Sequence, residues 1–243
     1  MTWKTHLIGG AQAGALLTFA FSDSVVDSAI IVSTAMLGSV LPDIDQPSSK
    51  LAKSDAFVGL LSFALSKVTK HRGFTHTICG AMGFSVIFYM FAVFRSEKDS
   101  LIAFFSALAI FIVMHAAGSA MRWLAGWMAV IVYAMGPQVA EFFTAHNITV
   151  SVNEHSARLC ASAMFAGCLM HMVYDTFNKG GVSWLYPASA RKFRLLTIKT
   201  NTLGEVGFAA VQILILSAVL SVCFKDTYIL DWINSLFDAI KER

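Results

Sequence analysis

The sequence predicts an all-α fold: a polytopic transmembrane helical bundle of about six to seven spans, with a C-terminal amphipathic helix in the interface. Three observations carry that reading. Of the 243 residues 56% are apolar and 14% charged, and the mean hydropathy is +0.66; soluble domains carry about a quarter charged residues. Apolar runs near spanning length recur along the chain, each bounded by charge, Gly or Pro. Only four prolines interrupt them. This composition excludes a soluble enzyme and a disordered chain. A net charge of +3 without a large basic cluster excludes nucleic acid as a partner.

The elements follow in order. The first run, residues 7–21, is short, and Lys4 before it with Ala20-Phe21-Ser22 after it also fits a cleaved signal peptide. The second is 25–41. Residues 57–65 are too few to span and are expected on the surface or re-entering part-way. Runs 77–94, 101–121, 123–143, 157–177 and 206–224 complete a seven-span scheme. With the N-terminus inside, most of the 18 Lys and Arg fall on the inner side, so the positive-inside rule places the N-terminus in the cytoplasm. At the C-terminus Ile229, Trp232, Ile233, Leu236, Phe237 and Ile240 recur at helical spacing opposite Asp231, Asn234, Asp238 and Lys241. Residues 1–224 are therefore one integral membrane domain and 225–243 an amphipathic tail. Cys79, Cys160, Cys168 and Cys223 stand apart in apolar stretches and read as small buried hydrophobes.

Chemistry gathers at one boundary. His6 precedes the first run, Asp43 and Asp45 end the second, His71, Arg72 and His76 precede the third, and His171 and Asp175 end the sixth. Under the seven-span scheme all of them reach the inner face. His171 and Asp175 lie four apart, on one face of a helix, where they can grip one cation. Asp43 and Asp45, two apart after Pro42, point the same way in an extended turn. Gly73 permits a tight bend and Thr75 can cap the third helix, returning both imidazoles to one pocket beside Arg72. Imidazole with carboxylate suits zinc and, less selectively, manganese, nickel or iron.

The motifs Thr5-His6 with Gly9, Leu41-Pro42-Asp43-Ile44-Asp45, His71-Arg72-Gly73-Phe74-Thr75-His76 and His171-Met172-Val173-Tyr174-Asp175 occur in that order, followed by Gly180-Gly181-Val182 and Leu185-Tyr186-Pro187. The pattern, over residues 1–207, resembles the bacterial membrane-bound metal-dependent hydrolases, some of whose members are LexA-regulated inner-membrane proteins of the SOS response. That resemblance implies a multi-span helical protein of the bacterial inner membrane with a metal site and hydrolase activity. More distantly, the residues are similar to zinc-dependent phospholipase C, with His76, His171, Asp175 and one of Asp43 or Asp45 in the matching positions.

The expected chemistry is hydrolysis by metal-activated water, with one or two zinc ions. His76, His171, Asp175 and Asp43 are the expected ligands. His6, Asp45 and His71 would hold a second ion or act as general base, Asp45 first, and Arg72 would clamp an anion. Glu205 and His115 form a second tier, while His146 and His155 fall on the opposite face. At a membrane surface the expected partners are lipids, and the substrate a phosphoester or ester of a lipid or lipid-linked molecule. Arg191, Lys192, Arg194 and Lys199 would hold an anionic headgroup or anchor the inner face. The alternatives are a metal-stabilised membrane or stress protein without turnover and, behind it, a cation or proton transporter.

Overall fold

The computed structural model describes residues 1–22, 25–69, 72–93, 97–117, 119–146 and 154–223. The amphipathic helix expected at 229–240, and His71, lie outside them. The described residues are mostly helical, as the apolar runs require, with no strand; residues 177–202 between the last two helices are irregular and hold two isolated bridges, Asn178 with Ile198 and Val182 with Phe193.

Helix α1 (Trp3–Phe21) starts four residues earlier than the first apolar run, because Glu205 accepts the Thr2 backbone N–H and, at 2.9 Å, the Thr5 hydroxyl. His6 is therefore helical rather than ahead of the helix. Helix α2 (Val25–Gly38) leads into a tight turn at Leu41–Asp45, where Pro42 begins one turn of 3-10 helix instead of the extended turn expected. Short α3 (Lys50–Ser54) is followed by α4 (Ala56–Val68), whose first turn is capped by Asp55 Oδ1 accepting the Val58 N–H at 2.8 Å. The other oxygen of Asp55 accepts the Gly126 N–H at 2.7 Å, tying α4 to α7 (Ser119–Ala134).

A second 3-10 turn, Phe74–His76, precedes α5 (Ile78–Val93), and the cap of α5 is Thr77, which accepts the Gly80 N–H at 3.0 Å, not Thr75. Helix α6 (Glu97–Ala117) pairs with α7. The fifth apolar run breaks: α7 and α8 (Gly136–Ala145) meet at 76°, because Pro137 has no N–H to continue the ladder. Helix α9 (Glu154–Thr176) is the centre of the bundle, packed on α1, α2 and α5. Helix α10 (Leu203–Cys223) leans on α1 and leaves most of its apolar surface uncovered.

Small residues let the central helices touch. A Cβ added at Gly38 would meet the Met164 carbonyl at 2.5 Å, and one at Gly167 would collide with the Ala35 carbonyl. Membrane helices pack through such small residues, since apolar burial gives them no advantage over lipid. Leu203, Val206 and Leu214 on α10, Met82, Val86 and Ile87 on α5, and Trp123 and Trp127 on α7 stay exposed. Surface so apolar over several helices suits hydrocarbon rather than water.

By length and apolarity three segments among the described residues can cross a membrane, Asp27–Asp45, Glu154–Thr176 and Leu203–Ser221, or four if the bent α7–α8 pair is one span. The seven-span scheme counted more. Helix α5, with 16 residues, is about 24 Å long against a core of about 30 Å. Helix α1 is diluted by Lys4, His6, Gly9, Gly10 and Gln12.

Candidate metal centre

Four helix ends meet over the C-terminal turn of α9: the start of α1, the turn after α2, the turn before α5, and α9 itself. This is the convergence expected from the sequence, and antiparallel packing of neighbours produces it. His6, Asp45, His76, His171 and Asp175 are buried there, and the Asp43 side chain is 26% exposed.

The close α2–α9 approach places the Ser39 carbonyl 2.7 Å from His171 Nδ1. A carbonyl only accepts, so the proton sits on Nδ1 and the Nε2 lone pair is free. That Nε2 lies 3.2 Å from His76 Nε2, 3.8 Å from Asp43 Oδ1 and 3.9 Å from Asp175 Oδ2. His76 is oriented from behind: its Nδ1 lies 3.1 Å from Thr75 Oγ1 and 3.5 Å from Asp45 Oδ2. The Thr75 hydroxyl donates to Asp45 Oδ2 at 2.6 Å, and the Arg72 N–H reaches the same oxygen at 3.2 Å. Asp43 Oδ1 is 3.5 Å from His76 Nε2, so the two aspartates bracket one imidazole from opposite edges.

These distances test the fit of a cation. Donors about 2.0–2.1 Å from a tetrahedral ion are about 3.3 Å from one another. The triangle Asp43–His76–His171 has edges of 3.5, 3.2 and 3.8 Å. Two imidazole nitrogens whose other nitrogens both face acceptors cannot approach to 3.2 Å without a proton or a metal ion between them. Burial opposes a charged His76, but Asp43 and Asp45 outweigh it and raise its pKa to about 9, so a proton can occupy that place. The donor set fits a divalent metal in the proton's stead.

A second group, His6, His171 and Asp175, also converges. His6 Nε2 is 3.5 Å from Asp175 Oδ1, and its ring stacks on His171 at 3.9 Å. Both groups draw on the single free nitrogen of His171, so one ion is the better match. His6 Nδ1 is buried without a partner among the described residues. Asp175 is further held by Arg72 Nη2 at 2.9 Å and by the Met1 amino group at 3.0 Å.

Several expectations change. Asp45, chosen as general base, is 2% exposed and serves as an orienting carboxylate behind His76, outside both converging groups. Arg72 spends one arm on Asp175 rather than standing free, and its Nε has no partner among the described residues. The left-handed residue of its loop is Arg72 itself, at φ 61°, not Gly73. Glu205 does not reach the cluster; it anchors the start of α1 and so positions His6. His115 faces its own helix, Nδ1 to the Phe111 carbonyl at 2.9 Å. His146 and His155 are exposed and belong to neither group. Cys79 is exposed, whereas Cys160 and Cys168 are buried as expected.

Other contributors were given no role from the sequence, although Gly180 and Tyr174 stand within its motifs. Ser39 acts through its carbonyl, which no side-chain pattern reveals. Gly180 is the one whose signal was present, in its glycine pair: a Cβ there would overlap Arg72 Nη1. Gln12, Tyr174 and Gln212 join α1, α9 and α10 beneath the cluster, the Tyr174 hydroxyl donating to Gln12 Oε1 at 2.6 Å.

Residues 1–230 match the model of the YdjM inner membrane protein family, and the chain belongs to that family. Over 99 residues it is 25% identical to the uncharacterized protein YvsG of Bacillus subtilis (strain 168), covering 41% of this chain and 56% of that protein. The chain thus spans little more than half the length of that curated relative. No solved structure matches it.

Proposed function

We propose that this member of the YdjM inner membrane protein family is a zinc-dependent hydrolase. In this reading it cleaves a phosphoester or ester of a membrane lipid or lipid-linked substrate at the cytoplasmic face. The observation that supports it is the triangle of donor atoms from Asp43, His76 and His171, three ligands that would leave the fourth position of a tetrahedral ion open.

A zinc ion with an open position polarises the scissile group and lowers the pKa of water toward neutrality. The rest falls to the protein. Asp45 and Thr75 hold His76, and the Ser39 carbonyl holds His171, so both Nε2 atoms stay aimed at one point. Among the cluster's carboxylates Asp43 is the one open to solvent; its Oδ1 faces the two imidazoles, and its other oxygen takes over from Asp45 as the group that would accept the attacking water's proton. Arg72 Nη2 holds Asp175 in place, and the Arg72 Nε, without a partner among the described residues, offers a donor to an incoming phosphoryl or carboxyl oxygen. The segment after α9 exposes Leu195, Leu196 and Leu203 beside Arg191, Lys192, Arg194 and Lys199, a surface suited to anionic lipid.

The test is metal counting on protein purified in detergent, followed by turnover of phospholipid and isoprenoid phosphoester panels. Wild type is expected to hold about one zinc per chain and to hydrolyse a member of the panel, with chelation abolishing turnover and zinc restoring it. His171→Ala and Asp43→Asn are expected to lose both. Bound metal with no turnover on any substrate would leave a metal-stabilised membrane protein, the reading favoured by Arg72 already engaging Asp175. Ion flux in liposomes would favour a transporter.

A further inference from the structure

We propose that a second site, separate from the metal centre, binds an anionic phospholipid in the cavity between α1, α2, α3, α6 and α7. The cavity has a volume of about 850 Å³, and none of the cluster ligands lines it. That size is at the upper end of ordinary ligand pockets, about 300–1,000 Å³.

Its lining is divided as an amphiphile is divided. Lys4, Lys50, Lys53 and Arg122 contribute the charge, and no carboxylate is among the lining residues. Leu37, Val40, Leu51, Phe111 and Ile112 contribute apolar wall. Trp3 and Trp123, 38% and 58% exposed, also line it, the residue type that settles at headgroup depth. The start of α1 (Lys4), short α3 (Lys50 and Lys53) and the start of α7 (Arg122) bring the cations to the same end of the bundle as His6 and Asp43. In a membrane that end is the boundary where lipid phosphates lie.

The polar atoms in this wall are left short of partners. Arg122 Nε is buried without a hydrogen bond among the described residues, and so is His115 Nε2. His115 already donates through Nδ1 to Phe111, so its Nε2 is an acceptor suited to a headgroup hydroxyl. Unsatisfied buried groups are costly, and a phosphate diester with a hydroxylated headgroup supplies both an acceptor for Arg122 and a donor for His115. Four cations with no counter-ion in the lining attract the same group.

This inference does not depend on hydrolysis. Its test is native mass spectrometry of the full chain in detergent, titrated separately with phosphatidylglycerol, phosphatidylcholine and inorganic phosphate. Phosphatidylglycerol is expected to bind at least about tenfold more tightly than phosphatidylcholine, and Lys53→Gln with Arg122→Gln is expected to remove that preference. Lys53→Arg with Arg122→Lys should keep it. Ile112→Trp, which fills apolar wall without touching charge or the metal centre, should weaken phosphatidylglycerol binding. Zinc content should stay at the wild-type level in every variant, separating this site from the metal centre. Equal binding of the two lipids, or a preference that survives the double Gln variant, would make these residues ordinary interfacial anchors and overturn the proposal. So would full displacement of phosphatidylglycerol by an equal concentration of inorganic phosphate.

Discussion

His171 shows how much of this centre rests on single atoms. One ring nitrogen is committed to the Ser39 carbonyl, and that commitment turns the other toward Asp43, His76 and Asp175. Asp45 and Thr75 do the same for His76 without joining the converging groups. Asp45→Asn is therefore expected to weaken zinc binding by about 10–100-fold, as loss of an outer-shell carboxylate does, while Asp43→Asn removes a ligand and costs more. Competition with a chromophoric chelator ranks the two. The charge on His76 sets a second expectation for chelator-treated protein. Its pKa is raised to about 9, so the stability it contributes is fully present below about 6.5 and is lost as pH rises through about 9. Thermal unfolding in detergent should show a falling midpoint over that window, and His76→Gln should flatten it. Gly180 is a third case. A methyl there would push Arg72 off Asp175, so Gly180→Ala is expected to reduce turnover more than it shifts the melting temperature, because the displaced group is the end of a flexible side chain.

At the scale of elements, the central fact is the contact of α2 with α9. Gly38 and Gly167 remove the side chains that would separate them, and the Ser39 carbonyl reaches His171 only because they do. Gly167→Leu should cost about 1–3 kcal/mol through overpacking and should also empty the metal centre, since α2 must retreat. Unfolding midpoint and zinc content, measured on one preparation, check both. The turn after α2 was legible as a helix stop at Pro42, but its 3-10 geometry was not, and with it went the expectation that Asp43 and Asp45 face the same way. The break at Met135–Gly136 was visible as Gly136-Pro137 inside an apolar run; the run's hydropathy concealed it. Thr75 was read as a cap because it precedes an apolar helix, yet a buried carboxylate is a stronger acceptor to satisfy, and Thr77 caps instead.

Across the whole molecule, the candidate ligands come from chain segments far apart in sequence, collected at one end of the helix bundle. With a cysteine-free background, Ser48→Cys and Thr200→Cys are expected to label from the same side of the membrane, and Ser22→Cys from the other. Labelling of Ser48→Cys and Thr200→Cys from opposite sides would separate Asp43 from Asp175 and end the metal-centre reading. The family match, over residues 1–230, covers every segment that contributes to the cluster.

Composition and hydrophobic period were enough to establish an all-α membrane protein, because apolar runs of this length have no other stable use in lipid. Five of the expected ligands, His6, Asp43, His76, His171 and Asp175, were legible as residues that converge, since buried His and Asp at helix ends are costly. Tertiary structure decided the roles. Whether Asp43 or Asp45 joins the converging donors, which nitrogen of His171 faces them, and whether Arg72 stands alone depend on the separation of α2 and α9 and on two short 3-10 turns. Those are set by close packing of side chains brought together from distant parts of the chain, and no local pattern encodes them.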